Sequence, residues 1–208
     1  MVRSEPHRPP VACRLARAAA GMLLALAALT GCTPPQAPFA LQNVTGLLPA
    51  LSFNLMNQDG RQVSAEDFRG KVVLLYFGYT NCPDVCPTTL AVLERAVESL
   101  GPGAAQVRVL FVSVDPARDT VAVLKRYVSA FGPYVLGLRG DDTALDNLMR
   151  RYRVTYHREP LDAHGDYAVD HSSAVFIFDR QGHARLLAEE TSGPKVIATD
   201  LKRLIAAD

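Results

Sequence analysis

The chain has 208 residues, a net charge of +1 and four cysteines, which suggests one folded domain and offers no basic surplus for a nucleic acid. The first twenty positions hold Arg3, Arg8, Arg14 and Arg17 against Glu5; without them 18 of the 22 basic and 20 of the 21 acidic residues remain, net −2. A disulfide framework would use more cysteines at wider spacing. Cys13 and Cys32 lie in or at the end of the basic leader, so the close pair Cys82 and Cys86 points to redox or metal chemistry.

In chain order, residues 18–30 form an apolar run behind the leader arginines. The run is too short to span a bilayer comfortably and fits the h-region of a signal peptide. It ends in Leu29-Thr30-Gly31-Cys32, which resembles the lipobox of bacterial lipoproteins. That resemblance implies that residues 1–31 are a lipoprotein signal peptide and that Cys32 carries the lipid. The domain is then expected at the cell envelope, on the periplasmic side of a membrane. An ordinary secretory signal or an uncleaved anchor helix would also put it outside the cytoplasm. Residues 32–50, with Pro34, Pro35, Pro38 and Pro49, read as a semi-extended tether, and 51–208 as the domain.

Residues 51–56 and 61–63 flank Asn57-Gln58-Asp59-Gly60, a hairpin signal ending in Asp-Gly. Residues 64–68 suit a single helical turn. Residues 72–77 are nearly all apolar, as in a strand buried on both faces. A helix follows, starting at or just before Cys86, with Leu90, Leu93, Val97 and Leu100 as its apolar stripe; Gly101-Pro102-Gly103 stops it. Residues 107–114 form a second buried strand, broken by Asp115-Pro116. Asp119 is the expected N-cap of a helix presenting Val121, Leu124, Val128 and Phe131. A short strand (135–138), a helix (143–152), a weak strand from Val154 and a polar insertion (156–169) come next. Residues 174–179 and 183–188 form a closing hairpin, and Ser192-Gly193-Pro194 opens a last helix with Ile197, Leu201 and Leu204 on one face. The order argues for an α/β sheet with an antiparallel edge.

Two thiols four residues apart can share a face of a helical turn. A thiol at a helix N-terminus has its thiolate favoured by the macrodipole, so the pair is nucleophilic or metal-binding. The stretch Phe77-Gly78-Tyr79-Thr80-Asn81-Cys82-Pro83-Asp84-Val85-Cys86-Pro87, then Val112-Ser113-Val114-Asp115-Pro116-Ala117-Arg118-Asp119-Thr120, then Val169-Asp170-His171-Ser172-Ser173 resembles the Sco/SenC copper proteins. The resemblance covers roughly residues 53–204. It implies a thioredoxin-like α/β fold with an N-terminal β-hairpin and a loop inserted before the last strands. It also implies a non-enzymatic copper chaperone, holding one Cu(I) or Cu(II) through Cys82, Cys86 and His171. In that fold the strand from Ala174 runs antiparallel beside the strand ending at Phe77, which brings His171 to the thiols. The implied recipient is subunit II of cytochrome c oxidase, with another extracytoplasmic copper chaperone or a thiol reductase as further partners.

Ligand chemistry agrees with this independently, because thiolates are soft and suit Cu(I) while imidazole suits both valences. The leading rival is a thiol–disulfide oxidoreductase that keeps oxidase cysteines reduced. Against it stand the CxxxC spacing, the absence of Trp, and the absence of a proline in the region directly before the strand from residue 174, the nearest being Pro160 and Pro194. A copper or redox sensor would bind metal and transfer none; a zinc site would recruit Asp170 or water as fourth ligand. Asp170 reads as a group orienting His171, and Asp84, Asp115 and Asp119 as turn and cap residues. His157, His164 and His183 read as surface histidines, and Arg150, Arg151, Arg153 and Arg158 as a solvated face.

Overall fold

The computed structural model describes residues 38–160, 167 and 169–207, with the side chains of Arg158, Asp170 and His171 outside that description. Cys13, Cys32, the apolar leader and His164 also lie outside the described residues. Residues 39–208 form one compact unit.

The two most apolar segments sit at the centre of an eight-stranded sheet. β4 (Val72–Gly78) is buried at every residue and pairs in parallel with β5 (Val107–Ser113), from Val72 opposite Val107 to Gly78 opposite Ser113. A strand with neighbours on both edges and cover on both faces has no use for alternation, which explains the uninterrupted Val-Val-Leu-Leu-Tyr-Phe sequence. β6 (Val135–Arg139) extends the parallel part on the side of β5. On the other side β9 (Val175–Phe178) runs antiparallel to β4, placing Val175 opposite Tyr76. β10 (Ala184–Ala188) returns from β9 as the expected hairpin.

The hairpin of β2 (Asn54–Asn57) and β3 (Gln62–Ser64) caps the far edge, against β6. Its turn is built as the sequence implies. Gly60 takes φ +75°, and the Asn57 side-chain oxygen accepts from the amides of Asp59 and Arg61 at 3.0 Å each. The opposite edge was not legible in the composition. β1 (Gln42–Asn43) pairs with β10, and the Leu41 amide donates to the buried Asp200 carboxylate at 2.8 Å. Residues within the proline-containing stretch read as tether therefore join the sheet.

Among the described residues, the α-helices are α1 (Val85–Glu98), α2 (Val121–Val128), α3 (Asp142–Tyr152) and α4 (Pro194–Ala206). The α1 stripe is buried as expected, and α4 buries Ile197, Leu201 and Leu204 while packing against α1. α2 is shorter than its periodicity suggests. It ends at Val128, and Phe131 lies in the 3-10 turn Ser129–Phe131 that follows. The insertion is not a plain loop either: β7 (Tyr156–Arg158) and β8 (Val169–His171) pair antiparallel as a separate two-stranded ribbon, with Tyr156 opposite His171.

Candidate metal centre

β4 ends at Gly78, and the chain turns through Tyr79–Asp84 into α1, so both thiols lie at one end of the central strand. Cys86 occupies the second position of α1, four residues before Leu90 and seven before Leu93, and is therefore on the buried stripe at 0 % exposure. Cys82 precedes the helix and is half-buried. Neither forms a disulfide among the described residues. The Cys86 amide, one of the unpaired donors of the first turn, points at the Cys82 sulfur at 3.4 Å. This is the place a capping side chain would take. Asp84 is the N-cap residue, yet its carboxylate makes no capping bond, and the thiol occupies that role.

Backbone packs directly onto the buried thiol. A Cβ on Gly78 would stand 3.0 Å from the Cys86 sulfur and 2.5 Å from the Phe111 ring, so only glycine lets the strand approach the thiol and the ring together. Burial pushes the Cys86 thiol up to about 12; hydrogen bonds from the Tyr79 backbone and the Tyr76 hydroxyl oppose the shift, and the contact with Cys82 adds to it. Burial likewise pushes the Tyr76, Tyr79 and Tyr127 phenols above their ordinary range. The two thiols are thus unlike in access. Iodoacetamide at pH 7 is expected to alkylate Cys82 well before Cys86, and mass spectrometry after brief labelling checks this; equal labelling would contradict the buried placement.

Asp119 departs from its expected role. Thr120 caps α2, its hydroxyl accepting from the Val123 amide, whereas Asp119 is fully buried and turned toward the cysteine loop. It accepts from the Thr80 amide at 3.0 Å, the Thr80 hydroxyl at 2.6 Å and the Ser113 hydroxyl at 2.6 Å. Asp115 is also more than a turn residue. It is fully buried, takes the Tyr167 hydroxyl at 2.6 Å and pairs with the Arg118 guanidinium. Helix-cap and turn statistics hid both, since the same residue type serves caps, turns and buried carboxylate hubs.

The third expected ligand can be followed only along the backbone. His171 ends β8, four residues before Val175, which is the residue paired with Tyr76 near the end of β4. The Tyr79 side chain hydrogen-bonds the Val169 backbone in the same strand. The segment carrying His171 thus reaches the end of the sheet where the thiols lie. Among the described residues no group of three metal-ligating side chains assembles. His183 is exposed and lies beside Asp179 at the turn joining β9 to β10.

The SCO1/SenC family model matches residues 48–206. The chain belongs to the SCO1/SenC family. It is 41 % identical over 157 residues to the mitochondrial protein SCO2 homolog of Bos taurus, a match covering 74 % of this chain and 59 % of that protein, so the chain spans well under two thirds of that relative's length. Among solved structures it is similar to Bradyrhizobium japonicum ScoI with copper bound, at 38 % identity and a TM-score of 0.69, covering 74 % of this chain and 98 % of that one. It is also similar to apo Sco1 of Thermus thermophilus, at 38 % identity and a TM-score of 0.71, covering 81 % and 99 %. The thioredoxin-like fold expected from the Sco/SenC motifs is the fold observed. Within that fold, the family's CxxxC loop is the segment that Gly78, Asp119 and the start of α1 hold in place.

Proposed function

We propose that this domain is a copper chaperone that holds one copper ion through Cys82, Cys86 and His171 and passes it to subunit II of cytochrome c oxidase. The supporting observation is the arrival of two unlike segments at one end of β4: the thiol pair at the start of α1, and the backbone of β8 leading into β9. The copper-bound Bradyrhizobium relative, 38 % identical, supports the cargo. Two thiolates and one imidazole leave copper coordinatively open, so a recipient's ligands can enter before the donor's leave. Cys82 is the accessible ligand and the natural first one to be exchanged; Cys86, behind Gly78 and Phe111, is the retained one. A lipid on Cys32 would hold the domain at the membrane surface; no helix among the described residues is long and apolar enough to cross a bilayer.

A thiol–disulfide oxidoreductase is the second reading. The observation favouring it is the Cys86 amide directed at Cys82, a contact that also suits an attacking thiolate. Copper titration of the full chain separates the two. His171→Ala is expected to weaken Cu(II) binding by more than ~100-fold, beyond what loss of a ligand's hydrogen-bond partner produces. Unchanged stoichiometry and affinity, with thiol–disulfide exchange the activity that is lost, would give the site to the oxidoreductase. Mixing the loaded protein with the soluble domain of oxidase subunit II distinguishes a donor, which loses its copper, from a sensor, which keeps it.

A further inference from the structure

One loop touches both halves of the proposed site. Residues 115–119 follow β5, and their last member, Asp119, grips Thr80 two positions before Cys82. Their first member, Asp115, accepts the Tyr167 hydroxyl four positions before His171. Between them stands Arg118, whose side chain is 20 % exposed and whose guanidinium pairs with Asp115. Its central carbon lies 3.6 Å from the centroid of the Tyr167 ring and 5.7 Å from that of Tyr79. Tyr79 belongs to the cysteine loop and also bonds the Val169 backbone, two positions before His171.

The two ligand-bearing segments are not held equally well. The thiols are fixed by α1, Gly78 and Asp119. Among the described residues β8 pairs with β7 alone, in a ribbon separate from the main sheet, so no sheet hydrogen bond among them sets its distance from the thiols. Side-chain contacts have to do so, and a planar cation between two tyrosine rings on a buried carboxylate is suited to it.

We propose that Arg118 is a positioning residue for copper binding, its stack with Tyr79 and Tyr167 on Asp115 holding the His171 strand at a fixed place beside the cysteine loop. The proposal rests on the reading in which Cys82, Cys86 and His171 bind the metal. Loss of the stack loosens the imidazole and leaves the thiols where they are. Cu(I), satisfied by two thiolates, feels this little; Cu(II), which relies on the imidazole, feels it strongly.

The test is a double-mutant cycle on the full chain, with Cu(II) and Cu(I) affinities from competition titrations and the Cu(II) electron paramagnetic resonance spectrum. Arg118→Ala is expected to weaken Cu(II) binding ~10- to 100-fold, the range for a residue supporting a ligand, and to alter the spectrum, with a smaller change for Cu(I). In a His171→Ala background the same substitution should add nothing. Arg118→Lys, which keeps charge without the plane, should not restore the spectrum. Equal losses in both backgrounds, or none in either, overturn the positioning role while leaving the ligands standing. An unchanged His171→Ala variant overturns the ligand assignment itself, and this proposal with it. Should Arg118→Ala fail to fold by circular dichroism, the cycle is read with Tyr167→Phe, which removes the hydroxyl bond to Asp115 and should move Cu(II) binding in the same direction.

Discussion

Cys86→Ser is expected to abolish copper binding at micromolar metal while the domain keeps its fold. The substitution swaps sulfur for oxygen at a fully buried position against which the Gly78 backbone packs. Its effect should exceed the ~100-fold typical of losing a ligand's support, since under the proposed function a ligand itself is lost. The buried thiol also sets the pH dependence. Copper binds the thiolate, and with Cys86 pushed up to about 12 the metal must displace its proton throughout the working range. Apparent copper affinity should therefore rise with pH, gaining roughly tenfold per unit from this group alone, because each unit changes the thiolate fraction of a thiol far above ambient pH tenfold. In the metal-free domain the sign is opposite. A thiol whose acidity is weakened by folding contributes stability in full below its ordinary pKa, and that contribution is lost as pH rises toward about 12. Competition titrations at pH 6, 7 and 8 on wild type and Cys86→Ser check the first effect. A flat profile, or a serine variant that retains micromolar binding, would remove Cys86 from the site.

Asp119→Ala should be the most damaging change outside the ligands themselves. The carboxylate accepts three hydrogen bonds at full burial, from the Thr80 amide, the Thr80 hydroxyl and the Ser113 hydroxyl. Hydrogen bonds to a charged group contribute ~1.5–3 kcal/mol each, but removing the carboxylate also removes the cost of burying it, so a net loss of about 3–5 kcal/mol is expected. For a domain of this size that corresponds to a fall in Tm of ~6–20 °C. The loss has a functional side, because Thr80 anchors the cysteine loop two residues before Cys82. Residual folded protein should bind copper more weakly and alkylate Cys86 faster than wild type. Thermal melts paired with timed alkylation provide the measurement. A Tm within 2 °C of wild type would show that the Asp119 contacts contribute little.

Sequence reasoning placed most of the frame, and it did so where burial leaves a periodic mark. Residues 72–77 and 107–114 could be little else than central strands, and the stripes of α1 and α4 fixed which helix faces turn inward. The Asn57–Gly60 turn and the Gly193-Pro194 helix start were legible because their chemistry is local. Edge strands leave no such mark: β1, two residues long and exposed, exists because β10 offers an unpaired edge and Asp200 takes the Leu41 amide. The β7–β8 ribbon hid in a polar stretch for the same reason.

The sequence by itself determined the two thiols and, through its resemblance to the Sco/SenC motifs at residues 77–87, 112–120 and 169–173, the fold family, because a buried strand, a thiol pair and an amphipathic helix are written close together and the further motifs follow in order. Only the tertiary structure decided that the thiols are unlike, one buried beneath a glycine and one half-buried, and that Asp115 and Asp119 are buried carboxylates bonded to Tyr167 and Thr80 rather than a turn residue and a helix cap. The physical reason is that burial and long-range hydrogen bonding depend on which surfaces meet, and residues 80, 119 and 167 meet only after the sheet has assembled.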